Sequence, residues 1–72
     1  SPEGMRRKLK RLEEQISKKE EELEAMRQLR FEPEYYQDYQ KMNLLDMDID
    51  DIHNEMAHLE KEWEELLEES ES

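Results

Sequence analysis

The chain has 72 residues, of which 46% are charged and 33% are hydrophobic, and its formal net charge is −11. A chain of this length has room for one domain at most, and the absence of cysteine excludes disulfide bonds and thiol chemistry. No apolar run approaches the ~18 residues that a transmembrane helix needs, so we expect no membrane contact. Such a charged composition could also mean disorder, but the hydrophobic residues are strictly periodic, which favours an ordered fold.

Residues 1–4 precede the periodic part of the chain. They contain no apolar stretch of the kind that a secretion signal has. We therefore expect them to be disordered, or left over from the expression of the protein. The chain is accordingly expected to be a piece of a larger protein.

The first helix is predicted over about residues 5–30, where nearly every residue is a good helix former and neither Gly nor Pro occurs. Spacings of three and four mark one face of it as a heptad seam. The seam positions are Met5, Leu9, Leu12, Ile16, Lys19, Leu23, Met26 and Arg30. Lys19 can lay its alkyl stem along the seam while its ammonium reaches an acidic flank, and such a polar layer sets the register at some cost in stability.

A tip at about residues 31–36 is predicted to separate two helices. Pro33 lacks a backbone donor and disfavours helical angles in the preceding residue, so the first helix should end by about Phe31 and Pro33 can begin the next. A connection this short makes long helices run antiparallel. The aromatic side chains near the break are predicted to cover the end of the seam; they are Phe31, Tyr35, Tyr36 and Tyr39.

The second helix is predicted over about residues 34–69, with a frayed tail at 70–72. Its heptad seam is uninterrupted and consists of Met42, Leu45, Ile49, Ile52, Met56, Leu59, Trp63 and Leu66. Residues 1–30 carry nine basic and seven acidic residues, whereas residues 31–72 carry two basic and fifteen acidic ones. The two halves are therefore complementary in charge, which favours pairing within one chain over pairing with a copy.

Together these features predict an all-α fold, a two-helix antiparallel coiled-coil hairpin that is monomeric. The register that we favour pairs Leu23 with Leu45 and sets Arg30 opposite Asp38. A shift of one heptad preserves the same alternation, pairs Leu23 with Ile52 and lengthens the tip. The heptad pattern leaves this second register open as the alternative.

Two short segments contain metal-binding residue types at the wrong spacing. An EF-hand loop that begins at Asp46 would need Gly at its sixth place and Glu at its twelfth, where Asp51 and Ala57 stand. His53 and His58 are five residues apart, whereas the zinc motif on a helix needs four. We predict solvated side chains, no metal or cofactor site and, without a Gly-rich loop or an activated nucleophile, no catalysis by this chain.

The candidate binding site is a basic run in the first helix, because Lys and Arg neutralise the phosphates of nucleic acid. The residues of this basic run are Arg6, Arg7, Lys8, Lys10 and Arg11. The acidic second helix could instead neutralise them within the hairpin, in which case their role is structural. The sequence leaves both interpretations open.

The tip and the end of the second helix resemble the C-terminal coiled-coil domain of Uup-type ABC-F ATPases. In that family a tip of the form Asp-Pro-x-x-Tyr-x-Asp joins two helices, and the second helix ends in a Trp-Glu-x-Leu element. The matching residues are Pro33, Tyr36 and Asp38 at the tip and Trp63, Glu64 and Leu66 at the end. Glu32 stands where the family usually has Asp.

The resemblance implies a non-catalytic accessory domain of a soluble, cytoplasmic bacterial protein whose ATP-binding cassettes, with their ATP and magnesium, lie upstream. Members of the family act on the translating ribosome, and the domain in Uup-type members is described as binding nucleic acid, including DNA. That role could fall here only on the basic run, with lesser help from Lys18, Lys19, Arg27 and Arg30. The rival hypotheses are a structural spacer or dimerisation module that binds another protein, and an acidic module that binds a basic partner.

Overall fold

The computed structural model describes all 72 residues. It contains three helices and no strand: α1 spans Pro2–Leu29, α2 spans Pro33–Tyr36 and α3 spans Tyr39–Glu71. Helices α1 and α3 pack side by side in opposite directions and form a rod of 53 × 14 × 12 Å. The predicted all-α hairpin is confirmed. None of the helices combines the length and the hydrophobicity needed to cross a membrane.

Helix α1 begins at Pro2, three residues before the predicted start. The backbone N–H of Gly4 donates a hydrogen bond to Oγ of Ser1 (3.1 Å), and Pro2 occupies the first helical position. A serine followed by a proline is a favourable helix start, because the serine oxygen accepts from an otherwise unpaired N–H and proline needs no partner for its nitrogen. Residues 2–4, expected to be disordered, are thus part of the helix.

The tip is longer than predicted, because the second helix does not run unbroken from about residue 34. After the single turn of α2, Asp38 adopts extended backbone angles (φ −125°, ψ 101°) and interrupts the helix. Its carboxylate accepts a hydrogen bond from the backbone N–H of Lys41 (3.0 Å) and caps α3. Glu32 precedes α2 in the corresponding place, but its side chain makes no capping hydrogen bond.

We expect Asp38→Ala to lower the free energy of unfolding by about 1 kcal/mol, because it leaves the backbone N–H of Lys41, in the first turn of α3, without its side-chain acceptor. The change is measured by thermal and urea unfolding followed by circular dichroism. Glu32→Ala is the matched control, since it removes a carboxylate from the same tip without removing a capping bond. Equal losses from the two variants would contradict the capping role of Asp38.

The polar contacts between α1 and α3 fix the register. Lys19 forms an ion pair with Glu55, and Nε of Arg30 lies 2.8 Å from Oδ1 of Asp46. Arg30 therefore lies beside a residue eight positions after the expected Asp38, which corresponds to a shift of about one heptad. The favoured register is wrong and the alternative register is the one observed. The residues that α2 and the Asp38 cap add to the tip account for the shift.

The buried side chains form the centre of the seam. They are Leu12, Leu23, Leu45, Ile49, Ile52 and Met56. Five of them form one cluster in the tip half of the rod, against which Met26, Tyr35 and Met42 pack. Leu12 lies on the other side of Lys19, in the half that holds both chain ends, where the other seam residues are only half-buried. The core is thus concentrated near the tip.

The aromatic residues of the tip do not all cover the seam, as was predicted. Only Tyr35 packs against the buried cluster, and the Lys41 ammonium lies 5.5 Å from the centre of its ring. Phe31, Tyr36 and Tyr39 remain exposed. The prediction is wrong for these three: of the two tyrosines in the single turn of α2 only Tyr35 reaches the core, while Phe31 precedes α2 and Tyr39 begins α3.

Candidate nucleic-acid interface

The five residues of the basic run lie on the first three turns of α1. Seam residues Met5, Leu9 and Leu12 turn towards α3, and this fixes the direction of the basic side chains between them. All five basic residues are exposed. The ion pairs of the structure are formed by Lys19, Arg30 and Lys41, so none of the basic run has a carboxylate within 4.0 Å. The basic run is therefore not neutralised by direct salt bridges.

The basic run has two parts that differ in their surroundings. Lys8 and Arg11 line a shallow groove between the helices, and Arg6 lies at the end of the rod among residues from both chain ends. The carboxylates across these surfaces come from Glu62, Glu65 and Glu69. Arg7 and Lys10 line neither surface and face away from α3. The favoured register would place Glu55, Glu60, Glu62 and Glu64 beside the basic run, and of these only Glu62 lies across from it in the observed register.

The rod consequently presents opposite charges on its two long sides near the chain ends. Residues 2–14 of α1 carry five basic and three acidic residues, with Arg7 and Lys10 on the outward side, whereas residues 60–71 of α3 carry seven glutamates and one lysine. The rod is 12 to 14 Å thick, which exceeds the Debye length of about 8 Å at physiological ionic strength. A polyanion that approaches the α1 side is therefore partly screened from the acidic side.

The four cations expected to give lesser help are mostly engaged elsewhere. Lys19 bridges Glu55 and Glu22, and the hydrogen bond to Glu55 raises the pKa of Lys19. Arg30 pairs with Asp46. Nη2 of Arg27 lies 3.3 Å from Nε2 of His53. Lys18 is exposed and forms no ion pair, so it alone of the four can extend the basic run.

The chain's own residues do not fit a nucleotide cofactor. A phosphate-binding loop needs several glycines so that the backbone can approach the phosphates, and the single glycine, Gly4, lies in the first turn of α1. No group of three or more His, Cys, Asp or Glu side chains is arranged to hold a metal ion. Asp46 pairs with Arg30 instead, and His53 with Arg27.

Two features were missed at the sequence level. Leu44 and Met47 lie outside the heptad seam and are 62% exposed, although heptads usually place polar residues there. Their hydrophobic character at positions where the heptad pattern has polar residues was the signal that could have indicated an exposed hydrophobic surface. The indole N–H of Trp63 is shielded from solvent but has no hydrogen-bond partner, which no periodicity indicates.

The comparisons with known proteins bear on the whole hairpin. Residues 4–68 match a family model described as ABC transporter C-terminal domain. The match covers the tip and nearly all of both long helices. No curated protein and no solved structure matches the chain.

Proposed function

The chain belongs to the ABC transporter C-terminal domain family, and on this basis we propose that it contacts nucleic acid, ribosomal RNA or DNA, through its basic run. As a member of this family it is an accessory domain of an ABC protein. The tip residues Pro33, Tyr36 and Asp38 and the Trp63 element further support a Uup-type ABC-F ATPase, a cytoplasmic bacterial protein that acts in translation. In this proposal the hairpin is a non-catalytic, monomeric rod, and ATP chemistry belongs to the rest of the parent protein.

The observation that carries the proposal is the state of the five cations. Long basic side chains beside an acidic helix would be expected to pair with it, and Lys19 and Arg30 do so. The cations of the basic run are exposed and unpaired. A phosphate group can therefore approach them without first breaking a salt bridge within the protein.

The expected mode of binding is electrostatic and largely independent of base sequence. No aromatic side chain lies among the basic residues, so this surface offers no platform on which bases could stack. Contacts to phosphates position a protein on nucleic acid but carry no sequence information. Affinity should consequently fall steeply with salt as bound counterions are released.

The test is a titration of fluorescein-labelled single-stranded RNA, duplex RNA and duplex DNA with the hairpin at salt concentrations from about 50 to 200 mM. We expect binding at the low end of this range. Lys10→Gln should weaken it and reduce the slope of log K against log salt by about 0.7 to 0.9, the value for one lost phosphate contact. Lys61→Gln is the matched control, because Lys61 is equally exposed and unpaired but lies on the acidic helix.

Absence of binding at about 50 mM salt would remove the nucleic-acid role, and equal effects of the two lysine variants would remove the assignment to the basic run. The rival spacer or dimerisation module then gains weight. Sedimentation equilibrium distinguishes that rival, because a dimerisation module forms a stable dimer without a folded monomer, whereas pairing within one chain gives helicity independent of concentration.

A further inference from the structure

The remaining exposed hydrophobic surface of the hairpin is confined to the tip. Every large hydrophobic side chain that stays exposed lies between residues 29 and 47. We call five of them the apolar tip surface: Phe31, Tyr36, Tyr39, Leu44 and Met47. Tyr39 is 80% exposed and Phe31 75%. Leu44 and Met47 are three residues apart and share one face of α3, and neighbouring exposed hydrophobic residues mark interaction sites, whereas isolated ones are ordinary.

The apolar tip surface lies within a strongly acidic part of the chain. Between residues 31 and 51 seven acidic residues stand against one lysine, which leaves a net charge of −6. That lysine, Lys41, already pairs with Glu34. Arg30, at the edge of the tip, pairs with Asp46. Every cation within residues 30–51 therefore has a carboxylate partner, and Arg27, in the same groove as Phe31, is the one cation of this end without one.

The net negative charge of the tip distinguishes between the possible binding partners of the apolar tip surface. A second copy would bring its own net charge of −6 against this one, and the phosphates of a nucleic acid would be repelled in the same way. A cationic protein surface would instead be attracted. Exposed aromatic and aliphatic side chains supply the area that such a surface can bury, since aromatic anchors commonly dominate the energy of protein interfaces.

We propose that the apolar tip surface docks a basic, partly apolar protein surface of the kind that an amphipathic helix presents. Hydrophobic contact with Leu44 and Met47, on one face of α3, provides most of the affinity, and the surrounding carboxylates select for Lys and Arg at the rim. The rod then has two separate contacts, a polyanion at the basic run and a polycation at the opposite end. This proposal does not depend on the nucleic-acid role.

The probe is a synthetic helical peptide with leucines on one face and lysines on the other, and ¹⁵N-labelled hairpin reports the binding position by NMR. We expect shift changes concentrated in residues 31–51 and an affinity that falls with salt. Leu44→Gln with Met47→Gln should weaken binding by about tenfold or more, since two hydrophobic contacts are lost. The matched control, Asn54→Gln with Ala57→Gln, has the same spacing on the exposed side of α3 and should leave the affinity unchanged.

Circular dichroism melting establishes that both double variants keep the hairpin fold, as their exposed positions predict. A peptide in which serine replaces every leucine should bind at least about tenfold more weakly to the hairpin. Equal binding of the two peptides, or equal affinities of the two double variants, would overturn the proposal. So would shift changes at the tip produced by RNA, or a dimer that forms through the tip and strengthens as salt screens the repulsion between copies.

Discussion

Ile52→Asp is expected to unfold the hairpin. Ile52 is the most buried residue of the chain, 4% exposed, and lies inside the five-residue cluster that α1 and α3 share. A carboxylate without a partner in that position costs several kcal/mol. A two-helix rod with six buried side chains has little stability to lose, because small domains bury too little surface to exceed about 3 to 5 kcal/mol. Loss of the far-ultraviolet helical signal at 25 °C is the measurement.

Asp48→Asn provides the comparison for Ile52→Asp. Asp48 lies one turn away on α3, is exposed and forms no ion pair. Its melting temperature should stay within about 2 °C of the parent protein, since substitutions at exposed positions away from special contacts rarely change stability by more than ~0.5 kcal/mol. If the two variants melted alike, the assignment of α3 residues to the seam would be wrong.

Lys19→Leu is expected to have the opposite effect and raise the melting temperature by about 5 to 10 °C. Lys19 occupies a seam position, its side chain is 31% exposed, and its ammonium must bend out to reach Glu55 and Glu22. Replacing a charged group in an apolar layer by a hydrophobic one of similar size is often stabilising. Lys18→Leu is the control, because Lys18 is exposed beside the seam. A lower melting temperature for Lys19→Leu than for Lys18→Leu would contradict this account.

The difference in stability between Lys19→Leu and the parent protein is expected to depend on pH. The hydrogen bond to Glu55 raises the pKa of Lys19 above its ordinary value of 10.5, so the ion pair stabilises the folded state below that pH and its contribution is lost as the pH rises through the folded-state pKa. The stability difference between Lys19→Leu and the parent protein should therefore widen above pH 10.5. The pKa of Lys41 is also raised, by its hydrogen bond to Glu34, but Lys41 titrates in both proteins. A constant difference would mean that the Lys19 pair adds nothing.

The heptad seam could be predicted from the sequence, but the register could not. A heptad pattern matches itself after a shift of seven residues, so Leu23 fits Leu45 and Ile52 equally well. The tip determines which of the two registers forms, because the extended backbone of Asp38 and the short helix α2 lengthen the connection between the long helices. Asp38 caps α3 and so interrupts the helix, although helical residues stand on both sides of it. The spacing of the hydrophobic residues does not show whether the helix continues through Asp38 or is interrupted there.

For the candidate site, too, the sequence predicts some properties and not others. That the residues of the basic run are exposed follows from the seam positions Met5, Leu9 and Leu12. Whether these residues pair with α3 depends on the register, since a shift of one heptad changes which glutamates lie opposite Lys8 and Arg11. The exposure of Phe31 and Tyr39 depends on the backbone path on either side of α2, which the heptad pattern does not specify, and their hydrophobic character alone predicted the opposite.

The uneven distribution of buried residues gives the hairpin a mechanical polarity. Between the Lys19 layer and the two chain ends only Leu12 is buried, so thermal fraying starts at those ends and meets its main resistance at the cluster beyond Lys19. The arms stay tethered through the tip while they part, which keeps their effective concentration high. Re-pairing of the frayed ends within one chain is therefore expected not to depend on protein concentration.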